Sequence, residues 1–111
     1  MTAVTIHELQ ALVGEVNAAN GWHEGTATPV ERLALIACEV SEAIEEVRDG
    51  HCVDEAYYNG AKPEGVPAEL ADVVIRCLDF ADFYGIDLEA AIVEKVAYNR
   101  TRGYRHGGKV L

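Results

Sequence analysis

At 111 residues, half of them hydrophobic, the chain has the length of one globular domain with a modest core, and nothing in it calls for a second. Its apolar runs are far too short to span a bilayer, and Met1-Thr2-Ala3-Val4-Thr5 lacks the basic and apolar stretches of a secretion signal, so a cytoplasmic chain is expected. The net charge of −10 is uneven: residues 1–94 hold all 19 acids and four of the nine Lys and Arg (−15), and residues 95–111 hold five cations and no acid (+5), a balance that disfavours a nucleic-acid polymer as partner.

Thr5-Ile6-His7-Glu8 has the form of a capping box, and Ile6, Leu9, Leu12, Val13 and Val16 follow at helical spacing, predicting a first helix over about 6–19. Residues 20–28 read as a loop. Thr28-Pro29 opens a second helix that runs to about Arg48, where Asp49-Gly50 stops it. A third helix is expected from near Pro67 to about Tyr84, and a fourth from an Asp87 cap to about Arg102, leaving a basic, Gly-rich tail over 103–111. Four helices predict an all-α four-helix bundle formed by residues 1–111 as a single domain. Residues 50–66 are expected as a long loop without structure, with Tyr57 and Tyr58 positioned to cover a site or to meet a neighbouring subunit.

The chemistry suggested by this pattern lies in two acidic dyads. Glu39-Val40-Ser41-Glu42 and Glu69-Leu70-Ala71-Asp72 each put two carboxylates at i and i+3, on one side of a helix. Packed side by side, the two helices could aim four carboxylates at one point, where they would repel one another unless a cation sat among them. Ligands that are all oxygen suit Mg²⁺, or Mn²⁺, better than Zn²⁺. Periodicity alone favours a different outcome, because Leu33, Ile36, Ala37, Val40, Ile44 and Val47 form the apolar stripe of the second helix and the acids lie opposite, on the face a helical wheel assigns to solvent.

The cysteines Cys38, Cys52 and Cys77 are odd in number and form no C-x-x-C, which argues against a disulfide framework and against a zinc site, and Cys38 and Cys77 read as small helix residues. His7, His23 and His51 share no ligand spacing and are expected at the surface or at caps. His106-Gly107-Gly108-Lys109 lacks the strand, loop and helix context of a phosphate-binding loop. In the fourth helix, the stripe set by Leu88 and Ile92 continues into Lys95 and Asn99. Either these polar residues face the acids, or the stripe simply emerges into solvent near the helix end.

Both dyads followed by Lys95-x-x-x-Asn99 resemble the MazG-like nucleoside triphosphate pyrophosphohydrolases, over nearly the whole chain. The resemblance implies a Mg²⁺ site made by Glu39, Glu42, Glu69 and Asp72. Lys95, Asn99 and Arg102 would meet substrate phosphate and sugar, and Trp22 either stacks on the base or anchors a core or interface. Relatives carry an E-E-x-x-E motif whose first acid is replaced here by Cys38, so the base that activates water is expected to be Glu42 or, one turn on, Glu46. The resemblance further implies a homodimer or a dimer of dimers, in which other helices cover the acidic faces. The expected reaction is hydrolysis of a (d)NTP to NMP and pyrophosphate. A phosphoribosyl-ATP pyrophosphohydrolase and a non-catalytic bundle that binds a nucleotide or a protein partner stand as alternatives.

Overall fold

The computed structural model describes residues 3–111; Met1 and Thr2, the start of the expected 1–111 domain, lie outside the described residues. Five helices take up 62% of the described residues, which makes the chain all-α in class, and no helix among them is long and apolar enough to cross a membrane. The four main helices are α1 (Ile6–Ala19), α2 (Pro29–Arg48), α3 (Val66–Phe83) and α4 (Leu88–Asn99). Local chemistry starts three of them. Thr5 Oγ1 accepts from Glu8 N at 3.0 Å while Glu8 Oε1 accepts from Thr5 N at 3.3 Å, and Thr28 and Glu31 repeat the exchange at 3.2 and 3.1 Å. Asp87 Oδ1 accepts from Ala90 N at 3.0 Å and opens α4. That helix ends at Asn99, short of Arg102, and the tail adds a single turn, α5 (Arg105–Gly108), whose four residues all have positive φ.

The segment expected to be structureless contains an antiparallel hairpin, β1 (Tyr57–Asn59) and β2 (Lys62–Glu64), with Tyr57 opposite Glu64 and Asn59 opposite Lys62. Gly60, at φ 64°, suits the first central position of a two-residue hairpin turn. Side chains then tie the hairpin to the end of α2. The Tyr57 hydroxyl donates to Glu46 at 2.8 and 3.1 Å, its ring stacks on His51 at 4.7 Å, and His51 Nδ1 donates to Glu55 Oε2 at 3.0 Å. Gly65 leads from β2 into α3 at φ 102°, where a Cβ would collide with the Glu55 carbonyl oxygen.

The third helix is the centre of the packing, with α2 along one side and α1 along the other. Gly14 lets α1 approach α3, since a Cβ there would run into the Asp82 side chain. Gln10, also buried, donates through Nε2 to Ile86 O at 2.8 Å. The fourth helix packs chiefly on α1, where Glu89 accepts from His7 N at 3.2 Å, so one chain does not close the expected bundle around α2 and α3. The Cα radius of gyration, 16.4 Å, agrees with that openness. A compact chain of this length would have about 13 Å.

The orientation of α2 is the main departure from the helical-wheel expectation. Glu39 is only 8% exposed, whereas Leu33, Val40, Ile44 and Val47 on the apolar stripe are 45–54% exposed. The acidic face packs inward against α3 and the apolar face is left outside. Among the described residues the buried apolar residues are Val66, Leu78 and Ala81 alone, at 2–8% exposure.

Tyr57→Phe deletes one donor to a half-buried carboxylate without changing the ring. It should lower stability by about 1–2 kcal/mol, read as a lower urea midpoint at fixed protein concentration with the slope unchanged. An unmoved midpoint would show that this contact does not hold the hairpin.

Candidate metal centre

Between α2 and α3, three of the four dyad acids come together. Glu39, Glu69 and Asp72 each present an oxygen, and these oxygens lie within 4.8 Å of one another. Glu39 and Glu69 are drawn from different helices, and the i, i+3 spacing of Glu69 and Asp72 keeps both on the side that faces α2. Glu42, one turn after Glu39, is exposed at the edge of the group and close enough to Glu69 to share a hydrogen bond when Glu69 is protonated.

The group carries more negative charge than its surroundings neutralise. Burial pushes the Glu69 carboxyl up to about 7, helped by the hydrogen bond with Glu42 and by the charges of Glu42, Asp72 and Glu39. Its Oε2 is buried with no hydrogen-bond partner. Asp72 is also raised, first by burial and then by Glu39, while Arg76 and Lys62 pull it the other way. A buried carboxylate oxygen without a donor, in a set of hard oxygen ligands, fits a divalent cation such as Mg²⁺ or Mn²⁺.

A cavity of about 250 Å³ opens beside these acids, near the lower size limit of small-molecule sites. Glu39 and Asp72 line one part of it, and Trp22, Leu35, Ile75 and Phe80 supply apolar and aromatic wall. Two arginines line it as well. Arg76 Nε donates to Glu39 Oε1 at 2.7 Å, and the Arg32 guanidinium lies 4.2 Å over the Phe83 ring. Asp79, on the same cavity, accepts from His23 Nε2 at 2.6 Å, so His23 is a half-buried partner of α3 and not the surface or capping residue expected.

Several expected site residues lie elsewhere. Glu46 does not join the acidic group, because its carboxylate accepts from the Tyr57 hydroxyl and lies 3.6 Å from His51 Nε2. That contact also pushes the Tyr57 phenol up to about 12. Lys95 and Arg102 are 5.3 and 5.7 Å from the centre of the Tyr98 ring, and Lys95 shares with Glu94 and Tyr98 a separate, open depression. Asn99 is half-buried on the same helix, with its Oδ1 unpartnered. Within one chain α4 sits on α1, which is why the polar continuation of its stripe does not reach the carboxylates. Trp22 does line the cavity and is 61% exposed.

Arg76 and Asp79 were legible in principle, since they continue the Glu69 and Asp72 face at i+7 and i+10. Arg32 precedes Glu39 by two turns on the same face. No family model matches the sequence, and no curated protein matches it at a significant level, so the reading of this site rests on its own geometry.

A carboxyl whose folded pKa is raised holds its proton more tightly folded than unfolded. Its contribution is full at low pH and is lost as pH rises from the ordinary value of 4.5 through about 7 for Glu69. His51, raised chiefly by its hydrogen bond to Glu55, acts with the same sign. With a chelator present, the melting temperature should therefore fall between about pH 5 and 8. Glu69→Gln should flatten that slope, and Mg²⁺ should restore the wild-type protein much more than the variant. A slope equal in both proteins would show that Glu69 is an ordinary surface acid.

Proposed function

We propose that this chain is a Mg²⁺-dependent nucleotide pyrophosphohydrolase of the MazG-like type, cutting between the α- and β-phosphates of a (d)NTP to release NMP and pyrophosphate. The observation that carries the proposal is the meeting of Glu39, Glu69 and Asp72, oxygens within 4.8 Å of one another, beside a cavity with aromatic wall and two arginines. Polyphosphate and base then have complementary surroundings: cationic groups near the acids for one, Trp22 and Phe80 for the other.

Glu39, Glu42, Glu69 and Asp72 hold the cation in this reading. Bound there, Mg²⁺ supplies Lewis-acid polarisation of phosphate oxygens and neutralises their charge. Glu42 takes the proton of the attacking water: it is exposed, it borders Glu69, and Glu46 is held by Tyr57. Trp22, at the rim, offers its face to the base.

The proposal includes a homodimer, or a dimer of dimers, in which a second copy completes the helical bundle. Half-exposed Leu33, Val40, Ile44 and Val47 on one helix support it, because covering the exposed half of each such side chain is worth about 1 kcal/mol. Lys95, Asn99 and Arg102 keep a role at phosphate or sugar only in such an assembly, where α4 of one copy can approach the acids of another. A second reading, nucleotide binding without turnover, draws support from Cys38 in place of the first acid and from the engagement of Glu46.

Incubation of a nucleotide panel with Mg²⁺ or Mn²⁺ should give pyrophosphate and monophosphate. Phosphate as sole product would refute the reaction, and tight nucleotide binding with no product would favour the second reading. Glu42→Gln should lower turnover on the order of a hundredfold or more while sparing the fold.

The assembly has a separate check. Val40→Asp with Ile44→Asp should shift the mass in solution from that of a dimer or tetramer to a smaller species, measured by light scattering. An unchanged mass would move the interface to another face.

A further inference from the structure

Two arginines share the cavity, and their situations differ. Arg32 has no ion-pair partner among the described residues; its guanidinium is set over Phe83 and its Nε is buried without a hydrogen-bond acceptor. Arg76 stands one helical turn beyond Asp72 and gives its Nε to Glu39, at 2.7 Å, with both side chains partly buried (34% and 10% exposed). Only one donor of that guanidinium is engaged in the contact, so its outer donors are left for another acceptor. Glu39 is therefore claimed twice: by the arginine in this structure, and by the cation in the reading above. A guanidinium and a divalent ion on one buried carboxylate repel each other in an environment that screens charge poorly.

We propose that Arg76 is a displaceable cation: it neutralises Glu39 in the metal-free protein, yields that carboxylate when the divalent ion binds, and turns its guanidinium to a phosphate oxygen of the substrate beside Arg32. The inference rests on the metal-dependent reading of the site. Its consequence is an ordered exchange of charge. Empty, the site keeps its most buried acid paired. Filled, the arginine freed by the metal meets the phosphate that arrives with it, and the planar fork of a guanidinium suits that oxygen geometry. Arg32 needs no such release, because no carboxylate competes for it.

The test measures Mn²⁺ binding by calorimetry without nucleotide, then pyrophosphate binding at saturating Mn²⁺, in wild type, Arg76→Met, Arg76→Gln and Arg32→Met. Both Arg76 variants should bind Mn²⁺ more tightly, by about threefold to tenfold, and pyrophosphate more weakly, on the order of tenfold. Arg32→Met should weaken pyrophosphate alone. A purely structural Arg76 would give the opposite result for the metal, since a disordered Glu39 is a poorer ligand. The glutamine variant keeps a polar side chain at this half-exposed position and serves if the methionine variant does not fold. Wild-type Mn²⁺ binding with unchanged or weaker binding in the Arg76 variants overturns this inference and leaves the metal centre standing. Absence of Mn²⁺ binding in the wild type overturns the metal centre, and the inference with it.

Discussion

Repulsion among the carboxylates between α2 and α3 is the constraint around which the rest of the molecule is arranged. Glu39, Glu69 and Asp72 cannot all ionise at close range in a partly buried setting without a counter-charge, and the elevated Glu69 carboxyl with its unpartnered oxygen records that conflict. Arg76 relieves it at one acid and protonation relieves it at another. Neither satisfies the whole group. Apolar residues in this position would favour the fold, so the acids are held here at a cost in stability.

Turning the acids inward has a structural consequence for the opposite face. A helix has one apolar stripe, and when its polar face packs against a neighbour the stripe must find another partner or meet water. In α2 the stripe meets water, along with much of the apolar surface of α1 and α3. The small buried core and the open shape of a single chain follow from the same choice. In the proposed assembly, a second copy covers the apolar stripe that the inward acids displaced.

The hairpin between α2 and α3 connects these features. Its base is tied to Glu46 and His51 at the end of α2, and its second strand passes through Gly65 directly into the helix that carries Glu69 and Asp72. Lys62, at the tip and paired with Glu64 at 2.9 Å, contributes positive charge to the surroundings of Glu42, Glu69 and Asp72. The residues linking the dyads therefore fix where the second dyad starts, and use Glu46 to do so.

Helix positions, three N-caps and the shared side of the two acids in each dyad were determined by the sequence alone, because they depend on interactions three or four residues apart: Thr5 with Glu8, Thr28 with Glu31, Asp87 with Ala90, Glu69 with Asp72. Even the hairpin had a local signal in Gly60, outweighed by the length of the segment around it. Rotation of one helix against another is not local. A helical period fixes the angle between Glu39 and Val40 but is silent on which of them meets α3, and the two answers differ by roughly a quarter turn. The tertiary structure decided that question, and with it the capture of Glu46 by Tyr57, the placement of Lys95 on Tyr98 and away from the acids, and the contact of Arg76 with Glu39. Glu46 with Tyr57 and Arg76 with Glu39 join different elements, and Lys95 is kept from the acids by the seat of α4 on α1, so all three are set by packing that no single segment encodes.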